Sequence, residues 1–285
     1  MKASGVQLFV VECAFGEQPF VFTSEKNQLH IQVRSKSPLW IKENLINICV
    51  AKLPPDWKYI AWIDANVEFA NSNWVQDCMK ALKQFKVVQM FEECVQLGKE
   101  KQPAIRTPGF AYKYIKSTFS SPRKTSPTHN FAFQDINGTE EGCPGLAWAM
   151  NKEAYEMLGG LLDFAIAGSG DALIAHALVG GVRKMTGKLK ECEYVKEIHE
   201  WEKRAVETIR KNVGYVKGSV RVNRRHDVIK EGDYIKKESM LCMAEFNPKV
   251  DIKKNMEGIY QFVSPESVLA RKFNQHIRAL KEDDK

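Results

Sequence analysis

Apolar runs of strand length alternate with helical patterns over the first ninety residues, and this alternation constrains the fold more than any other feature of the chain. Apolar runs occur at Val6–Cys13, Tyr59–Asp64 and Val87–Phe91. Between them, apolar side chains recur at helical spacing through 38–53 and again after Asn73. Strands that alternate with helices predict an α/β fold with a mixed, mostly parallel sheet flanked by helices.

The remainder of the chain predicts one long insert and one extension of this domain. Residues 98–142 are rich in Lys, Pro, Ser, Thr and Gly with aromatic side chains between them, which is typical of a long irregular segment. Helical patterns return after it, and a last helix is expected at about 265–281. We therefore expect a single α/β domain over 1–235 and a C-terminal helical extension over 236–285 that packs on the core.

The net charge of +7 is concentrated in two stretches. Residues 99–130 hold seven Lys or Arg against one acidic residue, and residues 217–237 hold seven against three. Such clusters attract the phosphates of a nucleotide, a nucleic acid or a membrane surface, although a solvated basic loop gives the same pattern. Charge alone leaves the partner open.

Cysteine use and hydropathy favour a cytoplasmic protein. The seven cysteines contain no Cys-x-x-Cys pair, which favours free thiols in a reducing compartment. No run of about 18 apolar residues occurs, so no membrane span is expected. The N-terminus lacks the pattern of a signal peptide. The motifs of Rossmann dehydrogenases, P-loop enzymes and Gly-x-Ser-x-Gly hydrolases are also missing.

A carboxylate closes the strand predicted at Tyr59–Asp64, and an amide follows two residues later. Ligands of open α/β sheets bind at the carboxyl ends of strands, where Asp64 is expected to lie. Period-two spacing would bring Asp64 and Asn66 to one side of the backbone, and such oxygen donors suit Mg²⁺ or Mn²⁺. The alternative is an aspartate that only forms a turn or a helix cap.

Two further carboxylates follow glycine-rich turns. Asp163 ends the segment Leu158–Asp163, and Asp171 ends the segment Gly168–Asp171. Glycine lets a bulky ligand approach the backbone closely, and a carboxylate at the mouth of a pocket is suited to take a proton from a hydroxyl as a general base. Helix N-capping is the alternative for either residue, and most of all for Asp171.

A third group follows the strand predicted at Tyr215–Val222. His226 is suited to complete a metal site, and Arg224 and Arg225 are suited to hold a diphosphate. A solvated histidine in a basic loop is the alternative.

In this order the three groups resemble GT-A glycosyltransferases, most of all the β-1,4-galactosyltransferase and polypeptide N-acetylgalactosaminyltransferase type. In that type an Arg-x-x-x-x-Asn element precedes an Asp-x-Asp strand, and Lys42 to Asn47 occupies its place with Lys for Arg. The type also carries Gly-Gly-x-x-Asp and then Gly-x-Gly/Glu-Asp, which Leu158–Asp163 and Gly168–Asp171 match. The resemblance covers roughly residues 6–235 and is closest to stand-alone members found in large viruses and phages.

The resemblance implies a GT-A, Rossmann-like fold, a nucleotide-sugar donor with a UDP-sugar favoured, and a Mn²⁺ or Mg²⁺ ion that bridges the diphosphate. The residues that it places at the donor are Lys42, Asn47, Asp64, Arg224 and Arg225. Those that it places at the metal are Asp64, Asn66 and His226. It makes Asp171 the catalytic base and Asp163 a second catalytic carboxylate, and it places the acceptor against Gly145, Trp148 and Gly170.

One departure from the family concerns the metal. The direct metal ligand of the family is an Asp, whereas Asn66 stands here, and a neutral amide weakens the affinity for the cation. Either phosphates, Asp64 and His226 hold the metal, or Glu68 compensates, or the enzyme works without metal. An inactive homologue is the remaining alternative.

The acceptor is left open by the sequence. Aromatic side chains of 110–133 would stack on sugar faces if the acceptor is a glycan. The basic stretches would bind the phosphate backbone if the acceptor is a hydroxymethylated base in DNA. A non-catalytic nucleotide-binding homologue is the alternative from another class of protein.

Overall fold

The computed structural model describes residues 5–98, 101–120, 142–223 and 238–282. Its strands are β1 (Val10–Phe15), β2 (His30–Ser35), β3 (Tyr59–Ile63), β4 (Val67–Phe69), β5 (Val87–Gln89), β6 (Glu93–Leu97), β7 (Pro103–Pro108), β8 (Ala147–Asn151), β9 (Val213–Tyr215), β10 (Ser219–Asn223), β11 (Ile252–Lys254) and β12 (Tyr260–Phe262). Its helices are α1 (Lys42–Val50), α2 (Trp74–Leu82), α3 (Phe110–Ser120), α4 (Lys152–Leu158), α5 (Gly170–Leu178), α6 (Arg183–Thr186), α7 (Glu193–Ile209) and α8 (Val268–Glu282). A short helical segment at 238–243 precedes β11.

The sheets contain both parallel and antiparallel strands. Two of them have four strands each, in the orders β3-β8-β5-β9 and β4-β10-β6-β7, while β1 pairs with β2 and β11 with β12. Three of the described strand pairs are parallel and five are antiparallel. The α/β class is confirmed, but the expectation of mostly parallel strands was wrong. β8 runs antiparallel to both of its neighbours, because strand direction depends on the route of the connecting chain, which apolar runs do not encode.

Regular structure continues into the segment 98–142, which the sequence predicts to be irregular. β7 is an edge strand paired only with β6 among the described strands, and prolines are tolerated in such a position. α3 follows, with Phe110, Ala111 and Tyr114 buried on one face. The prediction was wrong here because the segment is polar on average, whereas a helix needs only a few apolar residues on one face to pack against the core. Residues 121–141 lie outside the described part of the chain.

The core lies on both faces of β8. Trp148 and Met150 pack into a large cluster with α5 and α7, whereas Ala147 and Ala149 pack into a second cluster with α2 and β10. This alternation follows from the period of two in a strand. None of the described helices is long and apolar enough to cross a membrane.

The described C-terminal residues pack on the same large cluster. Phe262 of β12 and Phe273 of α8 are buried in it, and the side chain of Asn44 in α1 donates a hydrogen bond of 3.0 Å to the carbonyl of Gly258. The sequence predicts only a helix here, whereas the structure adds the antiparallel β11–β12 pair. This packing fixes α1, whose first residue lies at the candidate site.

Candidate active site

Three carboxylates from different places in the chain lie around the ammonium group of Lys42. Its Nζ lies 3.4 Å from Asp171 Oδ2, 3.5 Å from Asp64 Oδ1 and 3.9 Å from Glu43 Oε1. We call Lys42, Glu43, Asp64 and Asp171 the Lys42 cluster. The side chains of Lys42, Asp64 and Asp171 are 29%, 33% and 21% exposed, so a ligand from solvent has access to them.

The ends of secondary-structure elements hold these side chains in place. Asp64 directly follows β3, and its backbone N–H donates to the carbonyl of Leu146 at 2.8 Å, which joins it to the segment before β8. Asp171 lies in the first turn of α5, whose N-cap is Ser169. Asp171 is therefore not the N-cap, although its Oδ1 accepts a 3.2 Å bond from the N–H of Ala172.

Two glycines allow the carboxylates to approach the backbone. A Cβ on Gly145 would collide with the carboxylate of Asp171, and a Cβ on Gly170 would collide with that of Glu43. Any larger residue at either position would therefore displace a charged member of the Lys42 cluster. The structure thus brings the predicted Gly145 and Gly170 into contact with the cluster.

The Lys42 cluster holds more negative than positive groups, and burial acts on their ionisation. Burial raises the pKa of Glu43 to about 7, although Lys42 opposes the shift. Burial also raises the pKa of Asp64, again against the attraction of Lys42. For Lys42 itself, burial would lower the pKa, but Asp171 and Asp64 raise it overall, so the ammonium stays charged at neutral pH.

We expect the substitution Glu43→Gln to stabilise the protein at pH 8 and to have little effect near pH 4.5. The folded state holds the proton of Glu43 up to a pKa of about 7, above the usual value of 4.5. Stability from this group is therefore lost as pH rises between the two values, and glutamine avoids that loss. The gain in the free energy of unfolding is about 3–4 kcal/mol at most, since a pKa difference of 1 is worth about 1.4 kcal/mol. Urea unfolding of both proteins at the two pH values measures it.

The matched control is Glu153→Gln, an exposed acid in the first turn of α4. It should leave the difference between the two pH values unchanged. A Glu43→Gln protein that is less stable than the parent at pH 8 would contradict the prediction.

Asn47 and Asp163 lie in a separate network. The Asn47 amide donates to the carbonyl of Leu161 (3.0 Å) and to Asp163 Oδ2 (3.2 Å), and its Oδ1 accepts from Tyr155 OH (2.8 Å). Asp163 also pairs with Lys254 Nζ at 2.8 Å, and its side chain is 12% exposed. Residues 42 and 47 point about 140° apart around a helix, which explains why α1 serves two networks. Asn47 and Asp163 thus tie α1 to the C-terminal strands.

Trp148 is fixed inside the sheet. It is 2% exposed, and its Nε1 donates a 2.8 Å hydrogen bond to the carbonyl of Pro144. The indole therefore holds the segment that carries Gly145, and it presents no face to a ligand in this conformation.

The donor set for a divalent cation is incomplete within the described residues. Asn66 lies exposed in a turn closed by Val67 N–H and Asp64 O (3.1 Å), so the period-two geometry expected for Asp64 and Asn66 is not formed. Glu68 is exposed in β4 and lies 3.7 Å from Arg221. No group of three or more His, Cys, Asp or Glu suited to a metal occurs in the described part of the chain.

These residues do not fit Mn²⁺ or Mg²⁺ by themselves, because the ammonium of Lys42 already stands between the carboxylates of Asp64 and Asp171. The metal ligand His226 and the donor residues Arg224 and Arg225 fall outside the described residues, so their roles stay predictions.

Sequence reasoning missed Glu43. An acid in the first turn of a helix is ordinarily explained by the helix dipole. Its contact with Gly170, more than a hundred residues away, gives it a place in the Lys42 cluster. The adjacent Lys42 was the available signal.

No protein-family model matches this chain, and no curated protein or solved structure matches it.

Proposed function

We propose that this chain is a glycosyltransferase of GT-A type that moves a sugar from a nucleotide-sugar donor to an acceptor hydroxyl. One observation carries the proposal. Lys42, Asp64, Gly145 and Asp171 lie on four separate segments, and their side chains and backbone come into contact at one point. The family resemblance assigns Lys42 and Asp64 to the donor, Gly145 to the acceptor and Asp171 to the catalytic base.

Asp171 acts as the base in this proposal. The acceptor oxygen forms a bond to the anomeric carbon while the bond from that carbon to the diphosphate oxygen breaks, with its electron pair leaving on the diphosphate. The acceptor proton passes to the Asp171 carboxylate. Attack opposite to the leaving group inverts the anomeric centre.

Lys42 supplies positive charge for the leaving diphosphate. A fixed ammonium in a partly dry site stabilises developing negative charge without reorganisation. With Glu43 protonated, the Lys42 cluster has a net charge of −1, from one ammonium and two carboxylates. Proton transfer to Asp171 makes the cluster neutral while the diphosphate gains charge, so the two steps support each other.

A Mn²⁺ or Mg²⁺ ion, together with Arg224 and Arg225, remains a prediction of the resemblance. When bound, such a cation would add positive charge at the diphosphate.

The donor site predicts that one nucleotide sugar raises the melting temperature of the protein. At a ligand concentration of 100 times Kd the gain in stability is about 2.7 kcal/mol, which corresponds to roughly 4–8 °C for a domain of this size. A thermal-shift screen of UDP-, GDP- and CDP-sugars, each with and without Mn²⁺, measures it. An increase only with Mn²⁺ would support the cation.

The control is Lys83→Met, which removes an exposed lysine next to α2. The substitution Lys42→Met should abolish the increase in melting temperature with the nucleotide sugar, whereas Lys83→Met should retain it. If none of the nucleotide sugars shifts the melting temperature, the donor site is wrong.

A further inference from the structure

Trp40 is a solvent-exposed aromatic residue beside the Lys42 cluster. Of the six tryptophans, all of which the structure describes, it is the only exposed one, at 52%. It lies two residues before Lys42 in the segment that leads into α1. Leaving half of an indole in water forgoes hydrophobic stabilisation and leaves apolar ring area available to a ligand.

The indole is held against a glycine. A Cβ on Gly168 would lie 3.3 to 3.6 Å from three ring atoms of Trp40, so the backbone of Gly168 covers one face of the ring. Gly168 has φ of +94°, a conformation that disfavours other residues. The backbone N–H of Trp40 also donates to the carbonyl of Ile166 at 3.0 Å. The half-exposed indole therefore rests against the chain at Gly168, and we call it the platform.

The platform lies next to the candidate base. Residues 40–43 and 168–171 run side by side, with contacts between Trp40 and Gly168, between Glu43 and Gly170, and between Lys42 and Asp171. At 3.8 Å per residue, the Cα atoms of Gly168 and Asp171 are at most about 11 Å apart. A ring on the indole would thus lie within one or two sugar units of the Asp171 carboxylate.

We infer that Trp40 stacks on a pyranose ring of the acceptor, so that the acceptor is a carbohydrate; this rests on the proposed function. The C–H face of a pyranose is apolar, and its burial against an indole is favourable. Gly168 leads directly to Asp171, and Asp171 must contact the acceptor hydroxyl.

The test uses the full chain and a panel of methyl α- and β-glycosides of glucose, galactose, mannose and N-acetylglucosamine. Saturation-transfer NMR titrations should detect binding of at least one glycoside at millimolar concentration. Trp40→Ala should weaken that binding at least tenfold, whereas Trp40→Phe should retain most of it. The melting-temperature increase with the nucleotide sugar should be the same in all three proteins.

Tyr59→Ala is the matched control, because Tyr59 is a 38% exposed aromatic residue at the opposite end of β3 from Asp64. It should leave glycoside binding unchanged. Equal binding by Trp40→Ala and the parent, or no glycoside binding by the parent, would overturn the inference. The inference would also be overturned if Trp40→Ala lost the increase in melting temperature with the nucleotide sugar, because the indole would then stack on the nucleobase of the donor.

The inference would also be overturned if a hydroxymethylated oligonucleotide bound more tightly than the glycosides and if this binding were lost in Trp40→Ala. Glycoside binding that depends on Trp40, without any effect of nucleotide sugars, would leave a carbohydrate site and remove the proposed transferase.

Discussion

Replacing Asp171 with asparagine is expected to lower sugar transfer by a factor of about 100 to 10,000. Asparagine has nearly the same shape, so it fits beside Gly145, but its amide cannot accept the proton of the acceptor hydroxyl. Lys42 loses one partner at 3.4 Å and keeps Asp64 at 3.5 Å, so the fold should survive. Steady-state transfer with the donor found by thermal shift measures the loss, and the donor-induced increase in melting temperature should persist.

Asp77→Asn is a matched control for this substitution. Asp77 also lies in the first turn of a helix and pairs with a lysine, Lys80, at 3.3 Å. The resemblance and the structure give it no place at the site, so transfer should not change. A folded Asp171→Asn protein that transfers sugar at the parent rate would remove Asp171 as the base.

Local sequence signals predict those helices whose N-cap and C-terminal residues lie in the same short segment. The sequence predicts a helix at Lys152–Leu158, followed by two glycines. α4 has these bounds because the side chain of Asn151 caps its first turn and Gly159, at φ of +74°, ends it. The stretch Tyr215–Val222 shows the opposite case. It is divided between β9 and β10, which belong to different sheets, and only long-range pairing makes that division.

The site was predictable where sequence order was enough. The resemblance assigns Lys42, Asp64 and Asp171 to the site, and they meet because α1 and α5 begin, and β3 ends, at one place. Asn47 and Trp148 are assigned through the same resemblance but point elsewhere, since helical rotation and strand alternation turn them towards internal partners.

Contacts distant in sequence defined the rest of the site. Trp40 and Glu43 matter because Gly168 and Gly170 lie against them. A single sequence does not reveal which glycine a side chain more than a hundred residues away will contact. These two residues therefore become candidates only when the segments 40–43 and 168–171 are seen side by side.

Replacing Lys42 with methionine is expected to lower transfer at least about 100-fold, because the leaving diphosphate loses a fixed positive charge. The substitution also leaves the carboxylates of Glu43, Asp64 and Asp171 together without their ammonium. Breaking a partly buried ion pair in this way should cost about 2–3 kcal/mol of unfolding free energy at pH 8. The cost should shrink towards pH 5, because the pKa of Glu43, raised to about 7 by burial, lets this carboxylate bind a proton.

Lys42→Arg separates charge from shape in this experiment, because it keeps the positive charge and restores the residue of the resembling family. It should retain more transfer and more stability at pH 8 than Lys42→Met, as measured by steady-state rates and urea unfolding. If the EDTA-treated parent still transfers sugar, Lys42 alone provides enough positive charge for the diphosphate. If EDTA abolishes transfer and Mn²⁺ restores it, Lys42 and the metal ion both stabilise the diphosphate. A Lys42→Met protein with parental transfer and parental stability at pH 8 would show that the carboxylates do not depend on this ammonium, and the proposed centre would fail.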